Sequence, residues 1–237
     1  RMSALGTILV LDAAPPPPPR MTACGAASTL AFELSDGAQR LVVNCGGPGP
    51  LPTKLPDHLV EALRSTAAHS TLTLAETNST AILADGSLGK GVTDVTVDRS
   101  EDNDSSRIAA THDGYVRRFG LIHKRSLMLG NDGKELRGTD QLIQKGRRKV
   151  RDAVAFAARF HLAPDVEATL TADGMGAILR ARGTPPWNFR CRGAMLTTEE
   201  SLFVDGAGLA HKSTQLVIVG EMSGIGGEIG WQFRRAS

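Results

Sequence analysis

The chain has 237 residues, 41% of them hydrophobic and 22% charged, with a formal net charge of +2. That balance excludes whole-chain disorder and gives no global pull toward nucleic acid or an acidic membrane. Aromatic residues make up only 4%, too few for a nucleic-acid stacking platform, and no apolar run approaches the ~18–20 residues that span a bilayer.

Thr7 to Asp12 is apolar and β-branched and predicts a strand. Pro15 to Pro19 cannot pair in a sheet and reads as an extended surface connection. Ser28 to Leu34 and Arg40 to Cys45 flank Asp36-Gly37, and Leu30, Phe32 and Leu34 alternate with polar or small residues, which predicts a hairpin. Gly46 to Pro56 is a loop by composition, and Asp57 to Leu63 holds one or two helical turns. Arg64 to Asn78, RSTAAHSTLTLAETN, predicts a strand with Ser70, Leu72 and Leu74 on its core face. His69, Thr71 and Thr73 then share the opposite, hydroxyl-rich face, open to a substrate or a second domain.

Thr80 to Ala84 and Val92 to Val97 are short strand pieces, and Arg99 to Ser106, RSEDNDSS, reads as a polar mobile loop. Arg107 to Leu129 predicts two strands about Asp113-Gly114, and Asn131-Asp132-Gly133 turns Glu135 to Leu142 back to pair. Lys145, Arg147, Arg148, Lys149 and Arg151 form a basic cluster, read as a solvated loop. Val154 to Leu162 alternates, Asp173-Gly174 joins Val166–Leu170 to Ala177–Arg182, and Trp187–Cys191, Glu200–Val204, Ser213–Val219 and Glu228–Arg234 follow. In the last, Ile229, Trp231 and Phe233 face inward. Many short strands with Asp-Gly turns and almost no helical period predict an all-β fold, a large two-sheet antiparallel β-sandwich.

Six histidines are present, and HExxH, GxSxG and Walker-type motifs are not. A single histidine is structural more often than catalytic. His69 stands out for its displayed position. His112 precedes Asp113-Gly114-Tyr115, His123 lies in HKR and His161 in RFHL. Two or three of these could converge with Asp85 or Asp113 on a divalent cation, although the spacing identifies no site. Cys24, Cys45 and Cys191 allow one disulfide and imply no framework.

LVVNC followed by CGGP, then RSTAAHSTL, HDGY, HKR and RFHLAPDV, resembles the heparinase II/III family of polysaccharide lyases. WNFRC, TEESLFV, STQLVIV and GWQF continue the likeness across residues 1–237, which match the C-terminal β-sandwich of those enzymes, a supersandwich. The resemblance implies β-elimination on acidic polysaccharide, heparan-type glycosaminoglycan or alginate, in the cell envelope or periplasm. It gives His69 a catalytic role, with Arg64 and Thr71 contacting substrate; a zinc or calcium ion in the sandwich would also fit the family. The partner is an N-terminal α/α toroid, absent from this chain, which starts at Arg1 and reads as a fragment or processed piece. Tyr115 does not match the family's catalytic tyrosine motif, so the chain alone is expected to show little lyase activity. The alternatives are a non-catalytic carbohydrate-binding sandwich, which needs exposed rings, and a structural scaffold with His69 buried.

Overall fold

The computed structural model describes residues 1–18, 25–47, 55–146 and 152–236. In chain order its strands are β1 Met2–Ala4, β2 Thr7–Leu11, β3 Phe32–Asp36, β4 Gln39–Val43, β5 Leu72–Leu74, β6 Val95–Glu101, β7 Ser105–His112 and β8 Leu121–Gly130. They continue as β9 Glu135–Gln144, β10 Val154–Leu162, β11 Glu167–Leu170, β12 Gly176–Arg180, β13 Trp187–Arg192, β14 Met195–Val204, β15 Ala210–Met222 and β16 Gly226–Arg235. Two short helices, α1 (Asp57–Ala62) and α2 (Val116–Phe119), and a 3-10 turn, Thr66–Ala68, interrupt them.

One sheet runs β1-β2-β3-β4-β10-β15-β14, with β5 also paired to β10; the other runs β11-β12-β13-β16-β9-β8-β7-β6. Neighbouring strands pair antiparallel. The all-β sandwich is therefore the fold. Gly37 and Gly174 carry positive φ at the Asp36-Gly37 and Asp173-Gly174 hairpins, a conformation that glycine adopts without a Cβ penalty.

The inner faces meet in an aromatic cluster. Phe160 lies 4.9 Å from Trp231 between ring centroids, and Phe189 lies 4.8 Å from Phe233. Each such ring stabilises the sandwich by roughly 1.5–3 kcal/mol through burial. The two tryptophan N–H groups are not stranded: Trp187 donates to Asp36 and Trp231 to Asp140. Tyr115 is fully buried, and its hydroxyl donates to the Leu72 carbonyl at 2.7 Å. These three rings form no sugar platform.

Three segments depart from the sequence reading. Arg64–Asn78 is not one strand; only Leu72–Leu74 pairs, and Leu72, Thr73 and Leu74 are all buried. The outer face of β10, with Arg159 and His161, is covered by this segment, so no hydroxyl face is displayed. Arg99–Ser106 is not a loop. β6 and β7 pair through Glu101 and Ser106, and Asp102 caps the tight turn by accepting from the Asp104 and Ser105 N–H groups. Leu30 takes positive φ, which ends the strand ahead of Phe32.

Candidate functional site

After α1 the chain coils through the 3-10 turn and leaves it in an extended conformation at His69. A cleft of about 510 Å³ opens there, outside the first sheet, lined by Asp12, Pro15–Pro17, Glu33, Asn44 and His69. His69 is 6% exposed, so it touches the cleft by an edge rather than standing in it. Its Nδ1–H donates to the Ser65 carbonyl at 2.8 Å, which leaves Nε2 as the basic nitrogen. Burial pushes the imidazole pKa below its ordinary value, and the nearby Asp12 charge works the other way. A neutral imidazole at neutral pH is the form that takes a proton.

The neighbours of His69 are fixed. Ser70 donates from Oγ to the Val43 carbonyl, and Asn44 accepts from the Ser70 N–H. His161 donates from Nε2 to the Ala67 carbonyl at 2.9 Å, beneath the 3-10 turn. Its Nδ1 then accepts from the Ser201 hydroxyl at 2.7 Å and faces the Cys45 thiol at 3.4 Å. Burial lowers the His161 pKa to about 3, and the same burial raises that of Cys45, so this pair is a neutral support and no thiolate site.

The other substrate-contact candidates lie elsewhere. Thr71 is 1% exposed, and its hydroxyl has no hydrogen-bond partner among the described residues. The turn ahead of it breaks the alternation that displayed it. Arg64 is absent from the cleft lining; its Nη1 donates to the Gly86 carbonyl at 2.7 Å and braces the 85–87 turn. No lysine or arginine stands among the described lining residues of the cleft, whereas Asp12 and Glu33 do.

His112 and His123 do converge, but not with Asp85 or Asp113. Asp85 caps Ser87, and Asp113 accepts from Thr93 and Asp94. The Gly114 N–H donates to His112 Nδ1, so His112 Nε2–H donates to His123 Nδ1 at 3.1 Å. His123 Nε2–H then donates to Asp140 at 2.7 Å. Arg125 adds a two-pronged pair to Asp140 at 2.7 and 2.9 Å, and Trp231 a further bond at 2.9 Å. The remaining Arg125 donor reaches the Leu30 and Ser70 carbonyls, tying the second sheet to the residue after His69. His112, His123, Arg125 and Asp140 are each at most 1% exposed. Arg125 and the His123 bond hold the Asp140 carboxyl well below the carboxylate range against burial, and burial lowers both histidines.

This cluster does not fit a metal. Both nitrogens of each ring are engaged, the carboxylate is saturated by donors, and a guanidinium already supplies the positive charge. Among the described residues no set of three His, Cys, Asp or Glu side chains is disposed to hold an ion. The sequence carried one unused signal for the cluster: His123 and Arg125 share the parity of Leu121, Leu127 and Leu129, putting two polar side chains on a buried face. Of the three cysteines, Cys45 and Cys191 are free and buried, and Cys24 lies outside the described residues. So do Arg147, Arg148, Lys149 and Arg151 of the basic cluster.

The model of the heparinase II/III-like C-terminal family matches residues 1–232. A curated relative, FtsZ-localized protein C of Caulobacter vibrioides, is 28% identical over 96% of this chain and 40% of its own length. A heparan sulfate lyase HepC mutant from Pedobacter heparinus superposes with a TM-score of 0.77 at 17% identity, over 98% of this chain and 34% of that one. A heparinase III structure gives 0.76 at 12% identity, over 97% and 32%. The chain thus spans well under half the length of each.

Proposed function

From the premise that this chain belongs to the heparinase II/III-like C-terminal family, we propose that it is the β-sandwich half of a lyase that cleaves uronate-containing polysaccharide by β-elimination. His69 is its contribution to the reacting centre. The observation that carries this is the tautomer lock: Ser65 holds Nδ1–H, and burial keeps the ring neutral at the wall of a cleft. Nε2 takes the C5 proton of the uronate or steadies the carboxylate as charge builds on it. The acid that protonates the leaving O4 comes from an N-terminal toroid in the parent protein. The Asp12 and Glu33 side of the cleft supplies no cation for the substrate carboxylate, so that charge is met from the toroid side as well. His161, Ser70 and Arg125 position the turn, and Arg64 braces the chain at Gly86. In this reading the parent works in the cell envelope or periplasm, on a heparan-type or alginate-type polymer.

One observation favours a second reading. The 28% identical relative is named for its localization with FtsZ, not for a lyase activity, and His69 is 6% exposed. A non-catalytic scaffold with the same sandwich would have both properties. Following the absorbance of the unsaturated uronate product separates the two: the parent protein turns over an acidic polymer in the first reading and does not in the second.

A further inference from the structure

The outer face of the second sheet is built differently from the His69 cleft. Strand register places Arg107, Met128, Arg137, Gln232 and Arg190 in one row across β7, β8, β9, β16 and β13. The next row on that face is Ala109, Ser126, Thr139 and Gly230, ending at Arg192. Small side chains there make a trough floor, and a Cβ on Gly230 would meet nothing within 4 Å. Two depressions, of about 690 and 440 Å³, adjoin through Arg137 and Thr139 and make the trough continuous. Five strands at about 4.8 Å spacing give it a length of about 19 Å.

Its lining charges are four guanidiniums, Arg107, Arg137, Arg190 and Arg192, against the carboxylates of Asp98 and Glu228. Three of the arginines make surface ion pairs, with Asp102, Glu135 and Asp173. Exposed pairs of that kind are worth little and exchange readily for a ligand carboxylate. Arg192 has no ion-pair partner among the described residues. The guanidinium fork matches a carboxylate in a two-pronged pair, and a row of forks matches a polymer carrying a carboxylate at regular intervals.

We propose that this trough is a second glycan-binding surface, which holds an extended acidic polysaccharide through its uronate carboxylates, on the face of the sandwich opposite the His69 cleft. The nature of the polymer rests on the reading given above; the location rests on the arginine row. The trough keeps a long substrate on the protein while the cleft does the chemistry.

The test is calorimetric titration of the 237-residue chain with a carboxylate-only oligouronate, a heparan-type oligosaccharide and neutral dextran. One variant carries Arg137→Ser, Arg190→Ser and Arg192→Ser together. A second, Gly230→Leu, fills the floor without changing charge, and Lys212→Ser, an exposed cation outside both the trough and the cleft, is the control. Thermal melting checks that each variant is folded. The proposal predicts binding of the acidic chains and not of dextran, weakened about tenfold or more in both trough variants and unchanged by Lys212→Ser. Wild-type affinity in the triple variant, no binding of either acidic chain by folded protein, or equal binding of dextran would each overturn it. Elimination by the parent protein is read separately. Turnover with unaltered binding in the trough variants sinks only the trough, and trough binding without turnover sinks only the lyase reading.

Discussion

His69 and Ser65 are joined by a 2.8 Å hydrogen bond from imidazole Nδ1–H to a backbone carbonyl four residues upstream. The bond is possible because Thr66–Ala68 coils into a 3-10 turn, which brings the Ser65 carbonyl under the ring. It selects one tautomer, and burial keeps that tautomer unprotonated below the ordinary histidine pKa.

A pH profile reads this directly. With Nε2 acting as base, kcat/KM of the parent protein falls only when His69 takes a proton. Since the free-enzyme pKa is displaced downward, the acid limb lies below pH 6.5. An acid limb centred at or above that value contradicts the lowered base.

Acid should unfold the sandwich early. His112, His123 and His161 have folded pKa values below the ordinary 6.5, and His161 is lowered to about 3. The unfolded chain therefore binds protons first as pH falls. The stability these groups contribute is complete above about pH 6.5 and is lost as pH falls below it, by about 2 kcal/mol for His161 on reaching pH 5. Asp140 adds a further loss below the ordinary carboxylate range, because its folded pKa is depressed. Urea unfolding at pH 7.5, 6 and 5 checks this; a flat midpoint across that range contradicts it.

Replacing Arg125 by Met removes the partner of a buried carboxylate and strands the Leu30 and Ser70 carbonyls. Breaking a buried pair by removing one member costs about 3–5 kcal/mol. Gly138→Ala tests the same region by packing alone, since its Cβ would fall 2.1 Å from the Trp231 ring; about 1–3 kcal/mol is expected from such overpacking. Chemical denaturation of both variants gives the values. A loss under about 1 kcal/mol for Arg125→Met would show that the network is not a structural centre.

The donor set around Asp140 is closed by Arg125, His123 and Trp231. Incubation with a strong chelator should leave the melting temperature unchanged, and elemental analysis should find no stoichiometric zinc or calcium held by these residues. A fall of several degrees on chelation, restored by one ion, contradicts the closed set.

The sandwich was legible wherever one strand face was buried and the other wet. Ile229, Trp231 and Phe233 alternate with polar residues and do face the core, and Asp36-Gly37 and Asp173-Gly174 do turn hairpins. Alternation misled where both faces are covered. Thr71 and Thr73 have hydroxyls yet lie inside, because the Arg64–Asn78 segment is packed against β10 rather than facing solvent. RSEDNDSS looked like a loop because an edge hairpin is polar on both sides, and only Asp102–Asp104 turns. Within the site, the choice of His69 rested on the family likeness as much as on its position. The convergence of His123 with Asp140 had no spacing signal, since the two meet across adjacent strands.

The most direct test of the half-site account is elimination by the full parent protein with His69→Ala. The unsaturated uronate product is followed on heparan-type and alginate-type polymers, beside thermal melts of both proteins. The account predicts a loss of about 100- to 10,000-fold in turnover with the melting temperature preserved, and negligible turnover by this chain alone. Undiminished turnover in the variant, or robust turnover by the isolated chain, would contradict it.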